Sequence, residues 1–196
     1  MGALIVIEGI DGGGKTTLAR GLAQALEARG LELLLTREPT DGPEGRRLRE
    51  AAARGLRFSP EEELSLFFED RRRHVREAVK PALARGAVVV QDRSFYSTAA
   101  YQGLRGLDRA AILRDSRAFA PEPDLLIVVD LPVDVALQRA ESRGEGRTAF
   151  EDEASLLQIR AFFQSLPEAE PIDGTQPPEA MLAQALALVA ARGWAG

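Results

Sequence analysis

The sequence predicts an α/β fold, a doubly wound five-stranded parallel sheet with flanking helices. Short apolar runs that suit buried strands alternate with longer segments whose apolar residues recur at helical spacing. A glycine-rich loop follows the first apolar run directly, and a helical pattern follows the loop. The chain has 196 residues, of which 45% are hydrophobic, and this suits one domain across residues 1–196.

Five apolar runs are predicted to form the sheet, and eight helical patterns lie between or after them. The predicted strands span residues 3–7, 31–35, 87–90, 125–129 and 169–172. The predicted helices span residues 18–28, 43–54, 60–85, 94–102, 108–119, 133–143, 151–166 and 178–192. We expect Pro81 to kink the third helix. Ligands of such sheets bind beyond the carboxyl ends of the strands, so the residues that follow each run are candidates for function.

The strongest motif is the glycine loop after the first strand. It consists of Gly9, Ile10, Asp11, Gly12, Gly13, Gly14, Lys15, Thr16 and Thr17. Glycines let backbone N–H groups converge on an anion, Lys15 reaches terminal phosphates, and the Thr16 hydroxyl suits Mg²⁺. A plain glycine-rich hairpin would need a strand next, whereas the leucines that follow recur every four residues. The motif predicts binding of a nucleoside triphosphate.

Composition excludes several classes of function. The absence of cysteine excludes disulfides, thiolate zinc sites and cysteine nucleophiles, so a metal would need oxygen ligands or His74, the single histidine. The net charge of −5 argues against a broad basic face for nucleic acid. No apolar stretch approaches the roughly 20 residues of a membrane span, and no signal-type segment stands at the start. We expect a cytoplasmic protein without nucleic-acid or membrane partners, and we expect His74 to be solvated.

Charged residues follow three of the predicted strands. After the third strand, Asp92 suits a metal beside phosphates, and Arg93 suits a bridge between two phosphoryl groups. The alternative is structural, with Asp92 as the N-cap of the next helix and paired with its neighbour. Arg37, after the second strand, suits either a phosphate contact or a solvated position. Asp130, after the fourth strand, suits a structural turn at least as well as a metal.

Two further segments carry groups that suit nucleotide chemistry. Phe67 with Arg71, or Phe68 with Arg72, share a helix face, and such a pair can stack on a base and bond its carbonyl edge. Most such aromatics are simply core residues, and the spacing leaves the choice of pair open. Residues 143–152 form a glycine-punctuated loop with two arginines, which suits either a lid over phosphates or a plain surface turn.

Together these segments resemble the thymidylate kinase family. The resemblance covers nearly the whole chain and rests on residues 8–17, 36–39, 67–71, 80–83, 92–93, 97–103 and 172–177. It implies a nucleoside monophosphate kinase of the P-loop type, with dTMP as acceptor, ATP as donor, Mg²⁺ as cofactor and a homodimer as the assembly. Alternatives are a kinase for another nucleotide or a small hydroxy acid, or a nucleotide-dependent switch ATPase.

The resemblance also implies the contacts of the acceptor base and sugar. Phe67 stacks on thymine and Arg71 bonds its O4 edge, which selects this pair over the other. Ser97 and Gln102 line the base pocket. Tyr101 crowds the ribose 2′ position and thereby favours deoxynucleotides.

Phosphate and donor contacts follow from the same resemblance. Asp11 holds the 3′-hydroxyl of the acceptor, Arg37 and Arg93 grip its phosphate, and Arg139 lies against the donor adenine. The lid arginines contact the transferring phosphoryl group, because the glycine loop contains no arginine of its own. The implied catalytic residues are Lys15, Arg93, Arg143 and Arg147, and the implied metal ligands are Thr16 and Asp92.

Overall fold

A computed structural model describes residues 2–142 and 152–194, and its centre is a parallel sheet of five strands. The strands are β1 (Ala3–Gly9), β2 (Leu33–Arg37), β3 (Val88–Asp92), β4 (Leu125–Asp130) and β5 (Ala169–Asp173). Their order is β2-β3-β1-β4-β5, and each neighbouring pair is parallel. The predicted fold class is confirmed, with the strand that leads into the glycine loop at the middle of the sheet.

Helices cover both faces of this sheet. They are α1 (Lys15–Glu27), α2 (Pro43–Ala53), α3 (Pro60–His74), α4 (Lys80–Ala84), α5 (Phe95–Leu104), α6 (Arg109–Arg117), α7 (Val133–Ser142), α8 (Glu153–Gln164) and α9 (Pro178–Ala191). Within residues 2–142 and 152–194, no helix combines the length and apolar character needed to cross a bilayer.

Alternation along β1 divides the core into two layers, because successive strand side chains point to opposite faces. Ile5 and Ile7 belong to a cluster with leucines of α1 and with Met181 of α9. Leu4 and Val6 belong to a second cluster with residues of α5 and α8. Burial on both faces explains why the central strands are continuous apolar runs.

The strands continue past their predicted carboxyl ends. β1 runs to Gly9, β2 to Arg37 and β3 to Asp92, so charged side chains stand on the last positions of β2 and β3. Each predicted strand ended at the last apolar residue of its run. The ladder continues because Arg37 and Ile7 still pair in register with Asp92.

The long helix predicted over residues 60–85 is interrupted. A π-helical turn, Val75–Val79, separates α3 from α4, which carries Pro81. Proline has no N–H to donate, and its ring crowds the carbonyl four residues earlier, so the hydrogen-bond ladder widens just before it. We predicted a kink at Pro81, and what the structure shows is a wide turn that precedes the proline.

Most of the predicted lid, residues 143–152, lies outside the described residues, and Arg143 and Arg147 lie there too. Its last residue, Asp152, caps α8 by accepting a hydrogen bond from the Ser155 backbone N–H at 2.9 Å.

Candidate active site

The glycine loop connects the central strand to α1 along a path that glycine makes accessible. Gly9, Gly12 and Gly14 have φ angles of +137°, +86° and +85°, a region that L side chains rarely adopt. A Cβ on Gly9 would also lie 2.4 Å from the Val129 carbonyl oxygen. The loop therefore packs against the end of β4 with no room for a side chain at its first position.

Lys15, the first residue of α1, lies across this loop. Its Nζ donates to the Ile10 carbonyl oxygen at 2.7 Å and lies 3.7 Å from Asp11 Oδ1. Burial lowers its pKa to about 8, the positive Arg93 lowers it as well, and nearby carboxylates oppose both effects. A polyphosphate in the loop would add negative charge beside this buried ammonium and stabilise it.

Thr16 and Asp92 meet where the metal was predicted. Thr16 Oγ1 donates to Asp92 Oδ2 at 2.5 Å, while Asp92 Oδ1 is buried and has no hydrogen-bond partner among the described residues. Hard cations such as Mg²⁺ take oxygen ligands, and an orphaned carboxylate oxygen suits one. The described part of the chain has no group of three or more acidic, histidine or cysteine residues that could hold a metal, so phosphates and water would supply the other ligands. The alternative for Asp92 is wrong, since Ser94 is the N-cap of α5.

Arg93 projects from a strained backbone into the space beside the glycine loop. Its φ of +66° is the one positive value that the described non-glycine residues show. The guanidinium donates to Asp11 and, at 3.1 Å, to Ser97 Oγ, and it lies over the Tyr101 ring with its carbon 5.5 Å from the ring centre. Although burial acts in the opposite direction on each group, this ion pair raises the pKa of Arg93 and helps lower that of Asp11.

Glu8 binds the residues that follow this strained turn, and we predicted no role in the site for Glu8. The fully buried carboxylate accepts hydrogen bonds from Ser94 N (2.7 Å), Ser94 Oγ (2.9 Å) and Ser97 Oγ (2.6 Å). Burial raises the pKa of Glu8 despite these bonds. The signal in the sequence was an acidic residue near the end of an otherwise apolar central strand.

A cavity of about 180 Å³ opens beside the Asp11–Arg93 pair. Seven of the eight residues predicted for the acceptor line it, namely Asp11, Phe67, Arg71, Arg93, Ser97, Tyr101 and Gln102. The Tyr101 hydroxyl donates to Asp11 Oδ2 at 2.9 Å. Phe68, the alternative aromatic, packs against Phe119 instead, with ring centres 5.8 Å apart. The cavity thus combines an aromatic ring, a guanidinium and an amide with an ion pair at its inner end.

A buried polar network forms part of the cavity wall and extends behind it, and it corrects one prediction. Arg71 donates from Nε to Glu38 Oε2 at 2.8 Å and from Nη2 to Thr98 Oγ1 at 2.7 Å. His74, which we expected to be solvated, is buried, with Nδ1 3.0 Å from Glu38 Oε1 and Nε2 2.7 Å from Thr36 Oγ1. The expectation was wrong because α3 packs its last turn against the end of β2, where a polar cluster replaces solvent.

Arg37 lies apart from the other predicted acceptor residues. It lines a neighbouring polar cleft of about 390 Å³ together with Thr16 and Asp92, and it donates to Asp41 at 2.9 Å. The cleft joins the metal-site pair to the loop after β2. Arg37 is therefore on the phosphate side of the site, outside the cavity that contains Phe67.

Two residues near β4 have clear partners. Arg139 Nη1 donates to the carbonyl oxygens of Gly174 (2.9 Å) and Gly12 (3.3 Å), which ties α7 to the glycine loop and to the end of β5. Asp130 accepts two hydrogen bonds from Arg160, at 2.7 and 2.9 Å, so both of its oxygens have a protein partner.

Comparison with known proteins identifies the family of this chain. A family model described as Thymidylate kinase matches residues 7–184. The chain is 49% identical over 188 residues to the thymidylate kinase of Xylella fastidiosa strain 9a5c, covering 95% of this chain and 89% of that protein. It is 47% identical over 192 residues to the thymidylate kinase of Xanthomonas campestris pv. campestris strain B100, covering 97% and 84%. With the glycine loop, the Asp92–Arg93 strand end and the aromatic cavity in one site, the chain belongs to the thymidylate kinase family.

Proposed function

We propose that this protein transfers the terminal phosphoryl group of ATP to the phosphate of dTMP, giving ADP and dTDP. One observation carries the proposal: the phosphate loop and the aromatic cavity share the Asp11–Arg93 ion pair at their junction. A triphosphate in the loop and a monophosphate nucleotide in the cavity would bring their phosphates together at Arg93. This arrangement suits a transfer between two bound nucleotides better than hydrolysis by water.

Catalysis rests on positioning and on neutralising charge. The acceptor phosphate oxygen is already ionised at neutral pH, so the reaction needs no strong base. Lys15 binds the donor's terminal phosphates, and Arg93 bridges the transferring and acceptor phosphates. Thr16 and Asp92 would hold Mg²⁺, which neutralises donor phosphate charge when bound. Phosphate also replaces Asp11 as a partner of Arg93 when the acceptor enters.

Acceptor recognition uses the cavity walls. Phe67 stacks on the thymine ring, and Arg71 donates to its O4 edge, while Gln102 and Ser97 border the same pocket. Tyr101 and Asp11, joined through the Tyr101 hydroxyl, border the sugar. In this arrangement Asp11 accepts the 3′-hydroxyl, and the Tyr101 ring crowds a ribose 2′-hydroxyl. Arg37 approaches the acceptor phosphate from the polar cleft.

The donor side uses the glycine loop and the segments beside it. Backbone N–H groups of residues 9–17 surround the polyphosphate, and Arg139, fixed to Gly12 and Gly174, lies beside adenine. We propose that Arg143 and Arg147, which lie outside the described residues, contact the transferring phosphoryl group. Their charge would be needed because the glycine loop contributes a lysine but no arginine.

The proposal includes a homodimer and a cytoplasmic setting, where ATP and Mg²⁺ are plentiful. The assembly is tested by sedimentation velocity of the purified chain. A species near twice the chain mass of 21.2 kDa is expected at micromolar concentration. A species of single-chain mass at every concentration would contradict the dimer but not the proposed reaction.

A panel of acceptors tests the reaction itself. ADP formation is measured with ATP and Mg²⁺ in the presence of dTMP, dUMP, dCMP, UMP or dGMP, and without any monophosphate. We expect ADP to form with dTMP in equal amount to dTDP and to be near background without an acceptor. Preference for another monophosphate would identify a different acceptor, and ATP hydrolysis unaffected by all five would favour a switch ATPase.

A further inference from the structure

We propose that His74, acting through Glu38, is a positioning residue that fixes the Arg71 guanidinium for reading the acceptor base. The inference rests on the proposed function, because it requires a base in the cavity that Phe67 and Arg71 line. It extends that function to Glu38, which lines the cavity beside Arg71, and to His74 behind it. Sequence reasoning gave neither of them a role in base recognition.

Arg71 reaches the cavity from an almost completely buried position, with 1% of the residue exposed. Of its five N–H donors, Nε–H goes to Glu38 and one on Nη2 goes to Thr98, while Ser116 Oγ lies 3.5 Å from Nη1. These partners fix the plane of the guanidinium, and the contacts in the described residues leave N–H groups over for a base carbonyl.

Glu38 is the charged partner of Arg71, and both of its oxygens are occupied. Oε2 accepts from Arg71 and Oε1 accepts from His74 Nδ1. Although burial raises the pKa of Glu38, Arg71 and His74 outweigh that effect and lower it, so the group is a carboxylate at neutral pH. Arg71 and His74, three residues apart on α3, therefore both bind the carboxylate of Glu38, the residue that follows β2.

His74 is itself fixed in one orientation. A carboxylate can only accept hydrogen bonds, so Nδ1 of His74 carries a hydrogen, and in the neutral ring Nε2 accepts from the Thr36 hydroxyl. Thr36, His74, Glu38 and Arg71 thus form a continuous chain from the edge strand to the cavity. The hydrogen bond from each side chain fixes the orientation of the next side chain.

Loss of His74 would leave Glu38 Oε1 buried without its donor. An unsatisfied buried charged group is costly, so the carboxylate would turn toward other donors and change the position of Arg71. The base edge is where such a change matters. Thymine presents a carbonyl oxygen at position 4, which accepts from a guanidinium, whereas cytosine presents an amino group there, which cannot. A displaced Arg71 should weaken dTMP binding and reduce discrimination against dCMP.

The test compares His74→Leu with His74→Asn, since the asparagine amide nitrogen can replace Nδ1 as the donor to Glu38. Kinetics with ATP, Mg²⁺ and either dTMP or dCMP give KM, kcat and the dTMP-to-dCMP ratio of kcat/KM. For His74→Leu we expect the KM for dTMP to rise about tenfold and the ratio to fall about tenfold, with kcat within about threefold, the size expected for one charged hydrogen bond. His74→Asn should recover most of both. Arg73→Ala, which removes the ion pair between this neighbouring residue on α3 and Glu44 on α2, is the matched control and should change neither.

Unchanged KM and ratio in His74→Leu would overturn the inference, and so would equal losses in the leucine and asparagine variants. If His74→Leu does not fold, Thr36→Val replaces it as the test variant, with a smaller expected rise in the KM for dTMP of about threefold. No rise in that KM would overturn the inference. A crystal structure of the variant that folds gives a readout independent of activity. Arg71 displaced from Glu38 supports the inference, and Arg71 in its original place contradicts it. Failure of the proposed function would appear in the unaltered enzyme, as no dTDP from dTMP.

Discussion

Lys15 and Lys80, the two lysines of the sequence, have opposite surroundings. Lys15 is 5% exposed and lies in the glycine loop, while Lys80 is exposed at the start of α4. Lys15→Ala should lower kcat at least about 100-fold, because it removes a buried cation from the transferring phosphates. Lys80→Ala removes the same charge from the surface and should leave kcat unchanged. Near-normal turnover of Lys15→Ala would contradict the assigned role.

Phe67 and Phe68 are neighbours with different tasks. Phe67 lines the cavity, while Phe68 packs against Phe119. Phe67→Ala should raise the KM for dTMP roughly tenfold, within the 1–3 kcal/mol typical of base stacking on an aromatic ring, and change the melting temperature little. Phe68→Ala should lower the melting temperature and leave the KM for dTMP little changed. The check is steady-state kinetics beside thermal unfolding of both variants, and the same pattern in both would contradict the assignment of the stacking residue.

Glu38 should couple stability to pH. Folding lowers its pKa below the ordinary 4.5, so its stabilisation is present above that value and is lost as pH falls through the lowered pKa. Glu38→Gln should therefore lower the free energy of unfolding by about 3 kcal/mol at pH 7, as expected for a broken buried ion pair. The difference from the unaltered protein should shrink as pH falls below 4.5.

Urea unfolding of both proteins at pH 7 and at successive acidic pH values measures this difference. A gap that stays constant with pH would show that the native carboxylate does not carry the effect.

At the scale of elements, the connection between β1 and α1 depends on backbone freedom. Gly9 and Gly30 both have positive φ, but a Cβ on Gly9 would meet the Val129 carbonyl at 2.4 Å, while nothing described lies within 4 Å of one on Gly30. Gly9→Ala should abolish ATP binding or folding. Gly30→Ala should cost only about 1–2 kcal/mol for the unfavourable φ.

Nucleotide binding by calorimetry and unfolding by denaturant separate these two outcomes. ATP binding of ordinary affinity by Gly9→Ala would mean that the loop can take another path and that its packing on β4 is dispensable.

Sequence patterns predicted the existence and order of the elements better than their ends. Hydrophobic runs located all five strands, but the last residues of β2 and β3 are Arg37 and Asp92, whose polarity hid their place in the ladder. The wide turn before Pro81 was equally hidden, because proline predicts an interruption but not its hydrogen-bond pattern. Strand ends are set by pairing with neighbours, which a single run of residues does not record.

Candidate site residues were predictable where motif and topology agree. The glycine loop and Asp92–Arg93 lie at the carboxyl ends of neighbouring strands, β1 and β3, so parallel topology alone brings them together. The sequence did not predict that three buried residues position the site arginines, namely Glu8, Glu38 and His74. Their hydrogen-bond partners are distant in sequence, and the type of a polar residue does not show which contact buries it. The lone histidine was misjudged for that reason.

The proposed site depends on the whole molecule. Segments from β1, α3, β3 and α5 meet at a single place. We propose that a donor phosphate in the glycine loop and the phosphate of an acceptor nucleotide stacked on Phe67 both contact Arg93 there. No single element contains this site. The sheet creates it by ending its central strands at one edge.

A crystal structure of the protein with dTMP, Mg²⁺ and a non-hydrolysable ATP analogue tests this arrangement. We expect a thymine ring stacked on Phe67, the analogue's phosphates in the glycine loop beside Lys15, and the Arg93 guanidinium between the two nucleotides. A dTMP molecule bound outside this cavity, or an Arg93 side chain remote from both phosphates, would contradict it.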